Sequence, residues 1–396
     1  MQTPKTDTVA RRIRFTIFII VLIRLGNLIP IPYVDQRYLI NILDAKPWLK
    51  TFFNSETLIL SVFSLGIIPS INASIIIQIL TNVLPFFETL QKEEGESGRR
   101  KIKQYTRSLT LLFCIIESLS IVFALKPILF NWDVGICLQI CLSLITGSMI
   151  ILWLSDLITE NGIGNGSSII ITLNIFSVLP NTIKSIGELS ILTVIVNFIG
   201  FILLLTSIIF IQGAVRSIPL VSAKQLLAQE TNKITQISFL PLKINQGGVM
   251  PIIFASTCLT FLSFFVNSII NFQIISPELL QSQNIAIFYG SINFILIFLF
   301  SRLYSNLILN PKEIAKELNK MAITIPNIRP GKQTAKFLRK TLNRLSFLGA
   351  IFLASLVAIP NTRSSYGFGI TSLIILVGVT IDTGRQIQTL LISQKY

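Results

Sequence analysis

The residue types that carry most enzyme chemistry are scarce in this chain of 396 residues. It contains no His, and Cys114, Cys137, Cys141 and Cys258 include no C-x-x-C pair. Cys137 and Cys141 stand four apart, so they share one helical face, a spacing typical of packing. Without His and without closely spaced Cys pairs, the sequence does not indicate a metal site, a disulfide framework or a nucleophile with its general base. The sequence therefore predicts a protein that is not an enzyme and needs no metal or cofactor.

Two ionised side chains lie well inside apolar runs, namely Arg24 and Glu117. Charges at membrane depth are costly and are functional candidates by default. Glu117 would be either protonated or paired with a basic group, and the residues do not choose between these states.

The elements that position these groups are membrane spans. The chain is 52% hydrophobic and 13% charged, with a mean hydropathy of +0.72, which exceeds what a soluble core can hide. Apolar runs long enough to cross about 30 Å of hydrocarbon predict an all-α polytopic membrane protein with ten transmembrane helices. We number these spans 1 to 10; they cover residues 15–32, 57–87, 106–125, 134–155, 167–183, 189–213, 248–272, 285–308, 345–361 and 366–383.

Basic residues fix the predicted orientation. With ten spans both termini share one side, and that side collects 26 of the 33 Lys and Arg. By the positive-inside rule this side faces the cytosol, or the stroma of an organelle. The net charge of +15 is therefore mainly a topology signal. A nucleic-acid-binding fold would need a soluble basic face with interleaved aromatic residues, which this pattern lacks.

A motif occurs twice, as GIIPSINAS from Gly66 and as GVMPIIFAS from Gly248, 182 residues apart. Ten spans can be divided into two sets of five. Because five is odd, the second set starts from the opposite side of the membrane, so the two sets would be inverted relative to each other. The two motifs then fall on corresponding spans, 2 and 7. The sequence thus predicts two inverted halves, residues 1–188 and 189–396.

Span 2 is too long for one straight crossing. Residues 57–87 carry no charge, and 31 residues make a helix of about 46 Å against about 30 Å of hydrocarbon. Gly66 and Pro69 predict a break, which leaves a short segment at about 56–66 and a spanning helix from about 69. A broken helix needs partners for its freed backbone groups, so the short segment is expected inside a cavity. A kinked or tilted span is the alternative.

Six stretches together resemble the SecY family, the channel subunit of the Sec protein translocase. They occur in order from span 2 to the C-terminus and read LGIIPSINASIIIQILTNVLP, EEGESGRRKIKQYTR, ITENGIGNGSSIII, LPLKINQGGVMPIIFAS, IPNIRPGKQTAKFL and DTGRQIQTLLISQKY. The resemblance implies two inverted five-helix halves around a central pore. It also implies a plug at about 56–66 and a lateral gate made by spans 2, 3, 7 and 8.

The resemblance also assigns residues, and it implies that Arg24 orders the interior of the channel. It implies an apolar pore ring that closes by excluding water while deforming around a passing chain. The ring residues would be Ile67, Ile71, Ile171, Ile253 and Ile375. A sixth ring position falls at Ser167, either because the register is off by one or because this ring is more polar. The lateral gate would use Asn72, Ala73, Ser74, Ala255 and Ser256, whose small side chains allow close helix approach.

Two loops on the basic side, at about 214–245 and 310–344, are long for helix connections. The resemblance implies that they dock the SecA motor or the ribosome, through Arg216, Lys243, Arg329 and Lys332. Charge density alone would also fit anionic lipid near span 9. Other implied partners are a SecE-like subunit, a membrane insertase, preprotein substrates and the lipid bilayer.

The sequence therefore predicts the central protein-conducting channel of the Sec translocon, which passes unfolded preproteins and releases apolar helices into lipid. The alternative is an ion-coupled secondary transporter for a small solute, which also uses inverted repeats and broken helices. An excess of Ile over Val and Ala suggests an AT-rich genome. This bias favours a plastid thylakoid membrane with both termini stromal, and the alternative is a bacterial plasma membrane with cytosolic termini.

Overall fold

The computed structural model describes residues 7–34, 60–92, 95–126, 133–176, 191–222, 238–271, 282–358 and 370–395. Within these ranges the chain forms helices and a small sheet. The helices are α1 (Asp7–Gly26), α2 (Ile68–Val83), α3 (Pro85–Lys92), α4 (Gly95–Leu125), α5 (Val134–Asn161), α6 (Gly166–Phe176), α7 (Ile191–Gly213), α8 (Met250–Asn271), α9 (Ser282–Ile308), α10 (Pro311–Lys320), α11 (Lys332–Ala358) and α12 (Ile370–Lys395). The strands are β1 (Val215–Ser222), β2 (Ser238–Lys243) and β3 (Ile323–Thr324).

Each predicted span overlaps a helix, although several predicted ends, such as 177–183 and 359–361, lie outside the described residues. Five of the described helices are long and apolar enough to cross a membrane, namely those within α4, α5, α7, α11 and α12. Shorter apolar helices lie in α2, α6, α8 and α9. Span 2 ends earlier than predicted, because Pro85 starts the separate helix α3 after the extended residue Leu84.

The chain divides into two compact units. One consists of residues 1–198, 260–274 and 364–396, and the other of residues 199–259 and 275–363. The boundary predicted between the halves, at residues 188 and 189, lies outside the described residues. The division of the chain at that point stays a prediction.

The core of the first unit lies between α4, α5 and the segment before α2. Residues 60–67 run through turns, and a β-bridge joins Ser61 to Pro30 after α1. Leu60 and Leu65 are fully buried in a cluster that includes side chains of α4 and α5. Near one end of these helices, Lys103 and Arg107 of α4 form exposed ion pairs with Asp156 at 3.2 and 2.6 Å. Exposed pairs contribute little, so burial dominates this packing.

The second unit contains a small domain that was not predicted. Strands β2, β1 and β3 form an antiparallel sheet in that order, with Val215 opposite Lys243 and Val221 opposite Thr324. Apolar side chains from β1, β2, α10, the residue after β3 and the first half of α11 form a common core; they are Ile218, Leu220, Leu242, Leu318, Ile325, Leu338, Leu342 and Leu345. We call residues 215–222, 238–243 and 311–345 the loop platform.

The segment before α2 lies against α5 so closely that only glycine fits there. A Cβ atom on Gly147 would overlap the carbonyl oxygen of Val62. We therefore expect Gly147→Ala to displace the segment and to destabilise the protein by about 1–3 kcal/mol, as overpacking typically does. The thermal unfolding midpoint in detergent, followed by circular dichroism, measures this effect.

Gly384→Ala is the matched control, because a Cβ atom there would have no neighbour within 4 Å. Gly384 lies within α12, where alanine is the better helix former by about 1 kcal/mol. The control should unfold at or above the midpoint of the parent. Equal midpoints for the two variants would contradict the close contact at Gly147.

Candidate functional site

The two copies of the repeated motif have the same backbone conformation. Gly66 and Gly248 both have φ of +60°, a left-handed conformation that glycine adopts without steric cost. Helices α2 and α8 begin two residues after these glycines, with Pro69 and Pro251 as their second residues. Proline is tolerated there because the first helical N–H groups have no partner within the helix. The predicted break of span 2 is confirmed, and α8 begins in the same way.

Hydrogen bonds repeat between the copies as well. In α2 the N–H groups of Ser70 and Ile71 donate to the carbonyl of Ile67, at 3.1 and 3.2 Å. In α8 the N–H groups of Ile252 and Ile253 donate to the carbonyl of Val249, at 3.1 and 3.3 Å. The match shows that the motif encodes one local structure twice.

The carbonyl of each motif glycine has a side-chain partner. Ser148 of α5 donates its hydroxyl to the Gly66 oxygen at 3.0 Å, and the Cys114 thiol donates to Ser148 at 3.3 Å. Asn245 donates its amide to the Gly248 oxygen at 2.8 Å. At both helix starts the glycine carbonyl therefore has a partner, as a backbone group in an apolar surrounding requires.

The serines of the motif bond within their own helices. Ser74 donates to the carbonyl of Ile71 at 2.8 Å, and Ser256 donates to that of Ile253 at 2.7 Å. Ala73 and Ala255, which precede these serines, are fully buried. Small side chains thus occupy corresponding places on α2 and α8, as the prediction of a lateral gate requires, but the gate itself stays a prediction.

The five predicted ring isoleucines differ in burial. Ile67, Ile71 and Ile253 are buried, whereas Ile171 and Ile375 are half-buried. Ile171 lies on α6 and Ile375 on α12, and these two helices pack against each other within the first unit. Their shared place in a pore ring stays a prediction.

The polar residue at the sixth ring position has a local role. Ser167 lies at the start of α6, and its hydroxyl donates to the Asn165 side chain at 2.7 Å. The N–H of Ser167 donates to the same oxygen at 3.1 Å. A side chain that accepts hydrogen bonds from the first turn caps a helix, which gives a structural reason for a serine at this position.

Glu117 has a partner that the sequence did not predict. It lies on α4, is 2% exposed, and accepts a hydrogen bond of 3.4 Å from the amide of Asn72 on α2. Among the described residues, the second oxygen of Glu117 and the side-chain oxygen of Asn72 have no partner. Pairing with a basic group, one of the two alternatives left open by the sequence, is not seen in the described ranges. This buried polar contact lies next to the small residues of the motif in α2.

Arg24 connects two helices of the first unit. Its guanidinium donates to the carbonyl of Leu173 at 3.0 Å, which joins α1 to α6. A guanidinium that bonds to a backbone carbonyl replaces part of its lost hydration, which is the way membrane proteins usually accommodate such a charge. The position agrees with the expected ordering of the helix bundle.

The four predicted docking residues lie on the loop platform. Arg216 in β1 is exposed, Lys243 ends β2, and Arg329 and Lys332 are exposed around the turn that precedes α11. The buried hydroxyl of Thr334 donates to the Arg329 carbonyl at 3.0 Å and fixes this turn. The sheet thus brings both predicted loops into one structure. No strand was predicted here, although the alternation of buried Ile218 and Leu220 with exposed Ser217 and Pro219 is a pattern that could have indicated β1.

Comparison with known proteins gives a consistent result. A family model described as SecY matches residues 61–384. The protein translocase subunit SecY of Guillardia theta is 43% identical over 409 residues, covering 99% of this chain and 97% of its own. The protein translocase subunit SecY of a Synechocystis strain is 40% identical over 410 residues, covering 97% and 92%.

Solved structures share the fold at low sequence identity. A SecY protein, described as having a plug domain that stabilises the closed state of the translocation channel and maintains a membrane seal, matches with a TM-score of 0.71 and 16% identity. That match covers 98% of this chain and 93% of the solved one. Sec61 in a canine ribosome-channel complex matches with a TM-score of 0.66 and 15% identity, covering 98% and 94%. The matches in sequence and in structure both span nearly the whole chain, and the chain belongs to the SecY family.

Proposed function

We propose that this chain is the protein-conducting channel of a Sec translocase, through which unfolded preproteins cross a membrane and apolar helices leave sideways into lipid. The observation that carries the proposal is the repeated helix start, in which α2 and α8 begin with the same backbone conformation and carry Ile71 and Ile253 at corresponding positions. Isoleucine side chains disfavour water and ions but bind no particular sequence. Such a surface suits a passage for many different polypeptides.

The secondary transporter has less support. A solute transporter places polar or charged ligands for the solute at its broken helices. Here the motif serines donate their hydroxyls to carbonyls of their own helices, and the buried amide of Asn72 contacts Glu117 of α4. The named relatives are translocase subunits, which favours the channel.

The segment at 56–66 would be the plug. Residues 56–59 lie outside the described residues, but Leu60 and Leu65 are buried against α4 and α5, with half-buried Val62 packed beside them. The similar SecY structure is described as having a plug domain that maintains a membrane seal. Leu60 and Leu65 would hold the plug in its closed position by burial of their side chains.

The loop platform would dock the partners that drive translocation. Arg216, Lys243, Arg329 and Lys332 would present positive charge to a SecA motor or to a ribosome. The similar Sec61 structure comes from a ribosome-channel complex. A SecE-like subunit and a membrane insertase complete the proposed set of partners.

The protein is a multi-pass membrane protein, and its proposed place is the thylakoid membrane of a plastid. The relatives from Guillardia theta and Synechocystis support a plastid or cyanobacterial setting. Both termini and the loop platform would then face the stroma, as the distribution of Lys and Arg favours. A bacterial plasma membrane with cytosolic termini is the alternative.

Removal of the plug should open a leak. We expect deletion of residues 56–66 to make reconstituted vesicles permeable to small ions at rest, because only the isoleucine surface then remains as a seal. Ion flux across vesicles containing the purified complex measures the leak, and retention of the thermal unfolding transition shows that the variant has folded.

Gly147→Ala tests the same idea without shortening the chain, since it displaces the segment from α5. It should leak more than Gly384→Ala, which leaves the segment in place. If both the deletion and Gly147→Ala fold and stay as ion-tight as the parent, residues 56–66 do not seal the channel.

The turn before α11 should be a docking contact. We expect Arg329→Glu to weaken binding of purified SecA by about tenfold or more and to slow preprotein translocation, since like charges brought together at an interface cost several kcal/mol. Binding is measured with the complex in lipid nanodiscs, and translocation with reconstituted vesicles.

Lys320→Glu is the matched control, because Lys320 is also exposed and lies at the end of α10 in the same platform. It makes the same change of charge away from the turn. If Arg329→Glu and the parent bind SecA equally, Arg329 is not part of the docking surface. The proposed channel function does not depend on this result, because the ion leak of the plug variants tests it separately.

A further inference from the structure

A basic cleft lies between α9, α10 and α11. Its volume is about 930 Å³, and among the described residues that line it none is acidic. Six of the lining residues are basic; they are Arg302, Lys312, Lys316, Lys332, Lys336 and Arg339. Glu313 and Glu317 of α10 do not line it. So many like charges around one space make it a binding site for an anion.

The start of α11 adds to the positive potential. Gly331 and Lys332 line the cleft, and the first turn of α11 contains no acidic residue. A helix N-terminus carries a partial positive charge that favours anions. The first N–H of α10 is already used, because Lys312 donates it to the Asn310 side chain, so α10 contributes through its lysines.

The cleft continues into an apolar surface. Phe298 lies one turn before Arg302 on the same face of α9, and Phe347 lies one turn after Asn343 of the cleft on the same face of α11. The two rings meet edge to face, with centroids 5.8 Å apart. Phe347 is 46% exposed, and its neighbour Leu348 is 59% exposed. Acyl chains could cover these side chains, whereas a free anion would leave them uncovered.

We propose that this cleft binds the headgroup of an anionic phospholipid, with the phosphate among the basic side chains and the acyl chains along Phe298 and Phe347. The change from apolar helix to basic cleft within one or two turns matches the depth at which a bilayer places its phosphates. Basic pockets between membrane helices on the positive side suit such headgroups. The lipid would brace the loop platform against the membrane.

The test compares lipid binding by two double variants. The purified full-length complex is delipidated in detergent and titrated with phosphatidylglycerol or phosphatidylcholine, and bound lipids are counted by native mass spectrometry. We expect one phosphatidylglycerol to bind the parent more tightly than phosphatidylcholine does. Lys316→Gln with Arg339→Gln should weaken that site by about 30-fold, since each basic residue near the headgroup contributes about a factor of five.

Lys320→Gln with Lys340→Gln is the matched control. It removes the same charge from the same two helices, but these residues do not line the cleft. The control should bind phosphatidylglycerol as the parent does. Equal binding of phosphatidylglycerol by both double variants would overturn the proposal. Displacement of the lipid by an equal concentration of glycerol phosphate would also overturn it, because the cleft would then be a site for a free anion. Loss of SecA or ribosome binding with unchanged lipid binding would assign the cleft to docking instead.

Discussion

The structure depends on one constraint, namely that a helix that begins inside an apolar core must find partners for the backbone groups at its start. At the start of α2 the oxygen of Gly66 accepts the Ser148 hydroxyl, and at the start of α8 the oxygen of Gly248 accepts the Asn245 amide. These partners differ in residue type and in origin, since Ser148 comes from another helix and Asn245 from the preceding turn. The same backbone conformation is therefore stabilised by two different side-chain contacts.

The break in α2 also places the surrounding groups. Because α2 starts at Ile68, residues 60–67 are free to turn back into the core between α4 and α5. The absence of a side chain at Gly147 leaves room for the backbone of Val62. The amide of Asn72 then reaches Glu117 within the membrane helices, where a buried polar pair is costly unless both groups are satisfied. The turn before α2 thus determines both where residues 60–67 pack and which side chain contacts Glu117.

The sequence predicted the features that depend on local chemistry. Gly66 and Pro69 predict the break because their backbone preferences are intrinsic, and the apolar runs predict the spans because hydrocarbon thickness sets their length. It did not predict the partners of Ser148 or Glu117, because these contacts join residues 82 and 45 positions apart. The basic cleft was not predicted either, because its lining residues are far apart in the sequence. Arg302, Lys316 and Arg339 belong to three helices, and no local pattern relates them.

The sheet of the loop platform has a consequence for how the protein is made. Val221 of β1 pairs with Thr324 of β3, and the two residues are 103 positions apart with α8 and α9 between them. A ribosome releases the chain from the N-terminus, so β1 emerges long before its partner and must wait while two further helices enter the membrane. The platform is therefore completed late in synthesis. A chain that is still being synthesised therefore lacks the finished sheet until Ile323 and Thr324 have left the ribosome.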